Sequence, residues 1–484
     1  MCYNIKHSNN IPKIRKYFRQ GEACSAKFFG SRSYRFNPVL LTAISKGSSD
    51  QGKEWGAVTP PDQPVAVPAL HRKGGTLVAF LLQAHIPELR LYLDEQIAQQ
   101  PDVGIILTSP EVILRTEQFL AGNISMGIPE RCRINKMGTD KKRTIYIFPP
   151  EDQLVLKSIN YCLSRGELGL LPCCLAFRPG FCVHGAFRAI VRRSNVNFSC
   201  IRLDITNYFN SIPTERMIEV LQDKLTDYPE VLDALTVLLR NPVIIEKDEV
   251  HCDNNKGVMA GMPLAPLLAN LYLSDFDSRM RKLVPVYGRY SDDLILFCPP
   301  ERVPEVYENI RSCLAGYGLD LNENKTRIVP PGGKWEFLGL SYNQGVIDLS
   351  AATILKMKGK ISRSARKLYR WKSSKNASTE RAVRALIRKF QYKFYGSGKE
   401  DDELTWSRWY FPLITRTEGL KTIDQYFQIW ARYLADGRHH KKNFQLVPYD
   451  LLQEYGYVPL VSAFHKKERD PALRRVAVEN ADNL

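Results

Sequence analysis

The segment VYGRYSDDLILFC, Val286 to Cys298, constrains what this chain can fold into more than any other. Two apolar runs flank a tight Ser-Asp-Asp turn, the pattern of a β-hairpin with two adjacent carboxylates, Asp292 and Asp293, at its tip. Like charges held side by side repel unless a cation sits between them. Upstream, CIRLDITNYFNSI reads as a buried strand, Cys200 to Ile205, followed by a turn, with Asp204 near the strand's end. One acid among apolar neighbours needs a partner or a metal. Asp204 beside Asp292 and Asp293 would make an oxygen-rich site for two Mg²⁺ ions about 3.5 to 4 Å apart, which stabilises both attacking and leaving oxygens in phosphoryl transfer. Taken alone, a Tyr-x-Asp-Asp string also reads as a solvated turn.

The 484 residues, 44% of them apolar, suffice for a substantial core and two to four lobes. Lys plus Arg outnumber Asp plus Glu by 68 to 51, a net charge of +17, so the long-range field attracts polyanions. Nucleic acid is the first partner to expect; ribosomal or anionic-membrane association is the alternative. The eleven cysteines lack CxxC spacing and the eight histidines lack zinc-ligand intervals, as in a reduced, cytoplasmic protein. No run approaches the roughly 20 apolar residues of a membrane span. The start, MCYNIKHSNNIPKIRKYF, lacks the apolar core of a signal peptide, so no membrane partner is expected.

Residues 1 to about 75 are rich in Ser, Gly, Pro and basic residues and read as an extension. Helix is expected from Thr76 to Gln100, with Pro87 marking a break, and again through PEVILRTEQFLAG. RCRINKMGTDKKRTIYIFP reads as a hairpin whose tip gathers Lys136, Lys141, Lys142 and Arg143, a cationic arm able to close over a triphosphate. Strand-like and helical segments alternate to residue 345, after which ILKMKGKISRSARKLYRWK opens a mainly helical region.

Six blocks occur in the order found in the reverse transcriptase family: LAFRPG from Leu175, LDITNYF from Leu203, GMPLAPLLANLYL from Gly261, YSDD from Tyr290, LNENKT from Leu321 and EFLGL from Glu336. The chain resembles that family strongly over residues 130 to 345 and more weakly to about 460. The resemblance implies an α+β right-hand polymerase: an N-terminal extension (1–85), fingers (86–200), a palm with a small antiparallel sheet (201–345, with a fingers-proximal insertion about 215–256), an α-helical thumb (346–450) and a C-terminal tail (451–484). It implies an RNA-directed DNA polymerase that uses two Mg²⁺, dNTPs and an RNA template and yields DNA. Homo-oligomers are compatible with it.

Carried onto these positions, the family's roles make Asp204, Asp292 and Asp293 the metal ligands and Lys325 the proton donor to the leaving pyrophosphate. Lys136, Arg143 and Arg178 would hold the triphosphate. Phe209 would sit where the incoming sugar passes and select deoxynucleotides, and Gly261 would let the backbone approach the nucleotide. Phe337 and Leu338 would support the primer end. Alternatives stay open for each: core packing for the two Phe and Leu338, solvated surface charge for the Lys and Arg. The chain departs from the family where Met259-Ala260-Gly261 replaces the common Pro-Gln-Gly, so no Gln side chain stands beside the nucleotide.

Lys356, Lys358, Lys360, Arg363, Arg366, Lys367 and Arg370 share a stretch with no acidic residue, while Met357, Ile361, Leu368 and Trp371 recur at helical intervals. One face packs and the other is cationic, suited to the primer and template backbone. IDQYFQIWARYLADGRHHKKN, with aromatics before a basic end, suits RNA contact. PYDLLQEYGYVPLV resembles C-terminal segments of the defence-associated and abortive-infection bacterial enzymes, which implies a structured noncoding RNA as partner. The Asn-Ala-x-x-His and Val-Thr-Gly blocks of retrons are absent. A group II intron-type enzyme and a catalytically idle RNA-binding protein on the same scaffold are the alternatives.

Overall fold

The computed structural model describes residues 85–99, 107–135, 142–166, 168–179, 183–396 and 405–469. The N-terminal extension, the hairpin tip with Lys136 and Lys141, and the chain beyond 469 lie outside the described residues.

Helix α1 (Ile86–Ala98) carries Pro87 in its first turn, where the missing N–H costs nothing. The helix starts at the expected break, and the part of the expected helix before residue 85 lies outside the described residues. Helix α2 (Ser109–Leu120) is closed by Thr108 and Glu111, whose carboxylate accepts the Thr108 N–H at 2.7 Å. Strands β1 (Glu130–Asn135) and β2 (Lys142–Ile147) form the expected hairpin, followed by α3 (Pro150–Leu163) and α4 (Val183–Arg193).

Strand β3 (Ser199–Asp204) leads into the short α5 (Tyr208–Ser211), then α6 (Thr214–Lys224) and α7 (Pro229–Arg240). Strands β4 (Val243–Glu246) and β5 (Glu249–Cys252) return to the first hairpin, giving a sheet of order β2-β1-β4-β5. Helices α8 (Ala265–Tyr272) and α9 (Ser274–Leu283) precede the hairpin β6 (Val286–Tyr290) and β7 (Asp293–Cys298), then α10 (Val303–Gly316) and β8 (Arg327–Val329). The second sheet has the order β6-β7-β3-β8, with every neighbouring pair antiparallel.

Both faces of this second sheet are covered, which is why its strands read as nearly unbroken apolar runs. Ile201, Leu203, Leu294, Leu296 and Cys298 point into one core. Cys200, Ile295 and Phe297 point into another, with Phe187 and Ile190 of α4 and with Trp335.

A small antiparallel sheet of β9 (Trp335–Phe337), β10 (Leu340–Asn343) and β11 (Val346–Leu349) leads into the helices α11 (Ala351–Lys375), α12 (Thr379–Tyr395), α13 (Trp406–Tyr410) and α14 (Glu418–Tyr433). Helices α15 (Lys442–Leu446), α16 (Tyr449–Glu454) and α17 (Leu460–Arg469) follow. Side chains satisfy the starts of α11, α14 and α17. Ser350 accepts the Thr353 N–H, Asp348 the Gly419 N–H, and buried Asp424 the N–H groups of Leu460 and Val461. The architecture is the right hand of a polymerase, mixed α and β elements around a small palm sheet with a helical thumb. Among the described residues no helix is long and apolar enough to cross a membrane.

Candidate active site and nucleic-acid interface

Strand register fixes the acids. In the β3–β7 ladder Asp204 lies directly opposite Asp293, with Arg202 opposite Ile295 on the same face. Asp292 is the second residue of the two-residue loop between β6 and β7, and its carbonyl accepts the Ile205 N–H at 3.0 Å. Directly opposed like charges destabilise a strand pair, so this register is a standing demand for positive charge.

The titration behaviour follows from that geometry. Burial first, then the charge of Asp204, pushes the Asp292 carboxyl above the usual carboxylate range, with Arg143 among the cations that oppose the shift. Asp293 is pushed up to about 6, by burial first and by Asp292 next. Arg143 of β2 thus acts electrostatically on the acid cluster.

Nearby cations offset part of that charge. Lys325 Nζ donates to Asp204 Oδ1 at 2.5 Å, Asn322 Nδ2 to Asp204 Oδ2 at 3.3 Å, and Arg202 stands 3.6 Å from Asp293. Among the described residues no three His, Cys, Asp or Glu side chains already close on one point. The ligand types nevertheless fit a hard divalent cation: three carboxylates at one edge of a sheet, with Asp292 and Asp293 raised in pKa and Asp204 opposed to Asp293 across a ladder. Lys325, expected as a proton donor to pyrophosphate, is held by the acid that would bind metal.

Phe209 is almost fully buried, its ring 6.5 Å from that of Phe177, which in turn lies 6.2 Å from Tyr290. This places an aromatic row beside the acid turn. Phe177, to which sequence reading gave no role, takes a positive φ of 56°, and such a conformation at a bulky residue persists only where the surroundings hold it. Arg178 donates to the Leu171 and Cys174 carbonyls and braces this loop.

Gly261 is required by packing. At its φ of 108°, a Cβ would meet the Tyr146 carbonyl oxygen of β2 at 2.7 Å. Ala260, which stands where the family commonly has Gln, has both backbone groups occupied: its N–H by Asn210 Oδ1 and its carbonyl by the Tyr146 N–H, each at 2.8 Å. Asn210 also donates to the Thr144 carbonyl, so it ties the hairpin to the palm. Phe337 is fully buried in the thumb-side core, leaving Leu338, at a φ of 51°, as the more exposed of the two residues expected at the primer end.

The basic residues of α11 separate into two groups. Lys356, Lys360, Arg363, Lys367 and Arg370 form one stripe, extended by Lys389 and Lys393 of α12, which sequence reading missed although they recur at i, i+4. Lys360 is pushed down to about 8 by burial first and then by Lys393, Lys356 and Arg363, and Lys389 is pushed down by burial, Lys367 and Lys393. Lys358 and Arg366 instead stack over Tyr426 and Trp430 of α14, at 5.3 and 5.1 Å from the ring centroids.

Three carboxylates gathered at one strand pair of a small antiparallel sheet form an anionic site of the kind that holds divalent metal for phosphoryl transfer. Residues 134–342 match the family model described as reverse transcriptase (RNA-dependent DNA polymerase). Enzymes of that family are RNA-directed DNA polymerases that use divalent metal ions and an RNA template and yield DNA. The "Uncharacterized 91 kDa protein in cob intron" of Schizosaccharomyces pombe is 28% identical over 171 residues, 35% of this chain. The matched stretch spans 20% of that relative's length. Two solved apo telomerase chains from Candida tropicalis are similar at 12% identity and a TM-score of 0.37. The one truncated from its C-terminal domain is matched over 49% of this chain and 59% of its own, the other over 68% of each.

Proposed function

We propose that the protein is an RNA-directed DNA polymerase in which Asp204, Asp292 and Asp293 hold two Mg²⁺ ions and dNTPs extend a primer on an RNA template. The observation that carries this reading is the cross-strand pairing of Asp204 with Asp293 next to Asp292, inside a domain of the matching family. Bound metal ions would supply Lewis-acid stabilisation of the transferred phosphoryl group. The chain's own residues would do the rest. Arg143 and the tip lysine Lys136 would draw in the triphosphate, and Arg178 would brace the Phe177 loop. Phe209 would crowd a 2′-hydroxyl, and Lys325, released from Asp204, would stand near the leaving phosphates.

The division into extension, fingers, palm, thumb and tail at residues 85, 200, 345 and 450 belongs to this proposal. So does contact between the α11–α12 stripe and the primer and template backbone. The finer biology we infer is a cytoplasmic enzyme that copies an associated structured noncoding RNA in antiphage defence, supported by the PYDLLQEYGYVPLV segment. A group II intron-type role is the second reading, and the cob-intron protein of S. pombe is the observation that favours it.

The test is to purify the protein with its bound RNA, add Mg²⁺ and labelled dNTPs or NTPs, and sequence the product. DNA whose sequence complements the bound RNA supports the first reading; an intron RNA as template supports the second. No product from bound RNA or from added primed templates removes the polymerase reading and leaves an RNA-binding scaffold. On a template that works, Phe209→Val should raise ribonucleotide incorporation by at least about tenfold, because a steric clash of roughly 1–3 kcal/mol is lost.

A further inference from the structure

Directly behind the acid turn lies a cation that neither substrate nor solvent reaches. Arg289 is 0% exposed, the largest fully buried side chain among the described residues. Its Nε donates to Asp277 Oδ1 at 2.8 Å and its Nη2 to Asp277 Oδ2 at 2.6 Å, a two-point fork onto α9. Its Nη1 donates to Asn270 Oδ1 of α8 at 3.2 Å and to the Ser291 carbonyl at 3.4 Å. Nη2 also reaches the Asn270 carbonyl at 3.3 Å and Cys174 Sγ at 3.4 Å. One guanidinium thus joins two palm helices, the loop that leads to Phe177, and the first residue of the Ser291-Asp292 turn.

Two further observations give this network a purpose. Ser291 has a φ of 61° at the first position of a two-residue hairpin loop, where glycine is the usual occupant, so the turn is strained and must be held. A buried ion pair is a poor source of stability, since well-packed apolar residues of similar volume often serve as well or better. Its neighbours add to the same frame: Tyr287 donates to Asp277 Oδ1 at 2.6 Å, and Asn270 Nδ2 to the Ala176 carbonyl at 2.7 Å.

We propose that Arg289, anchored by Asp277 and Asn270, is the positioning residue that sets the Ser291-Asp292 turn so that Asp292 and Asp293 face Asp204 in register to bind divalent metal. The guanidinium does not touch substrate or metal; it acts through the Ser291 carbonyl. The strain at Ser291 is then balanced by a rigid buried frame, and the same frame fixes the Phe177 loop relative to the acids. This inference rests on the polymerase reading of the acid site.

The experiment uses the full chain with two variants, Arg289→Lys and the charge-neutral Arg289→Met/Asp277→Asn, beside Asp292→Asn as control. Lysine keeps the charge but cannot supply the fork and the Ser291 bond together. Folding is followed by melting temperature, Mn²⁺ affinity by electron paramagnetic resonance, and amide exchange in metal-free protein at Ile205, whose N–H donates to the Asp292 carbonyl. In a folded variant Mn²⁺ affinity should fall about 10- to 100-fold, the range seen when outer partners of metal ligands are removed. Ile205 should exchange faster while Leu203 and Leu296, deeper in the ladder, keep their protection. On a primed template kcat should fall more than KM for dNTP rises.

Wild-type Mn²⁺ affinity and Ile205 protection in a folded variant would overturn the proposal. So would loss of protection spread evenly through the sheet, or failure of both variants to fold, since either makes Arg289 a general stability residue. If Asp292→Asn binds Mn²⁺ as the wild type does, the polymerase reading itself fails, independently of Arg289.

Discussion

The acid turn of the palm and the basic stripe of the thumb are both crowds of like charge, built by opposite means. At the turn, backbone register sets Asp204 against Asp293 with Asp292 adjacent, and no side-chain motion can part them far. On α11 the cations stand one helical turn apart on long flexible stems, so most of the repulsion is relieved by distance and water. Only Lys360 and Lys389, caught between two helices, show the strain. A rigid crowd binds a small cation at fixed geometry, as chemistry requires. A loose crowd follows a polyanion of varying sequence, as tracking a backbone requires.

The comparison breaks most visibly if one carboxylate proves dispensable. Asp292→Asn, nearly isosteric, should lower DNA synthesis by about a thousandfold or more, the loss of several kcal/mol of metal-borne charge stabilisation. Single-turnover extension of a labelled primer with saturating dNTP measures it. Retention of a tenth of the activity would mean that the turn is not the metal site.

On the thumb the expected loss is smaller and graded. Replacing Lys356, Arg363, Lys367 and Arg370 together by Gln should weaken primer–template binding on the order of a hundredfold at moderate salt, and the log–log salt slope should fall by about one unit per lost contact. Lys358→Gln/Arg366→Gln is the sharpening control. Those cations stack on Tyr426 and Trp430, so this pair should change the salt slope less and the melting temperature more. Equal slopes for the two sets, read by fluorescence anisotropy across salt concentrations, would erase the distinction between stripe and stack.

How much of this was legible in the sequence follows the same divide. The acids, the hairpins and the helix from Ala351 were legible because alternation and helical spacing act locally, and two buried faces left unbroken apolar strands around Asp204 and Asp293. What escaped is long-range. Arg289 reads as one more charge in a strand, and only the tertiary fold brings Asp277, Asn270 and Cys174 around it. Asn210 looks like a turn residue until β2 packs beside it. Gly261 was assigned to nucleotide approach on the resemblance alone, whereas its Cβ position is closed by the Tyr146 carbonyl. The pairing of Lys325 with Asp204 likewise depends on a turn that sequence distance conceals.

The smallest effect tests the comparison most directly, because the two crowds should respond to pH with opposite sign. Asp293 is raised to about 6 from its ordinary 3.8, so its contribution to stability is fully present below about 4 and is lost as pH rises through 6. Lys360 is lowered to about 8 from 10.5, so its contribution is present above about 10.5 and is lost as pH falls through 8. Near pH 7, without metal or nucleic acid, both sites carry their full repulsion. Unfolding midpoints in urea at pH 5, 7 and 9 should therefore show a wild-type gain between pH 7 and 5 that Asp293→Asn removes, and a gain between pH 7 and 9 that Lys360→Met removes. Saturating Mg²⁺ should flatten the acid limb and leave the basic limb, and a short primer–template duplex should do the reverse, since each ligand relieves only the crowd whose charge it opposes. If Mg²⁺ left the acid limb as steep as before, the carboxylates would be relieved by Lys325 and Arg202 alone, and the rigid crowd would lose its claim to the metal.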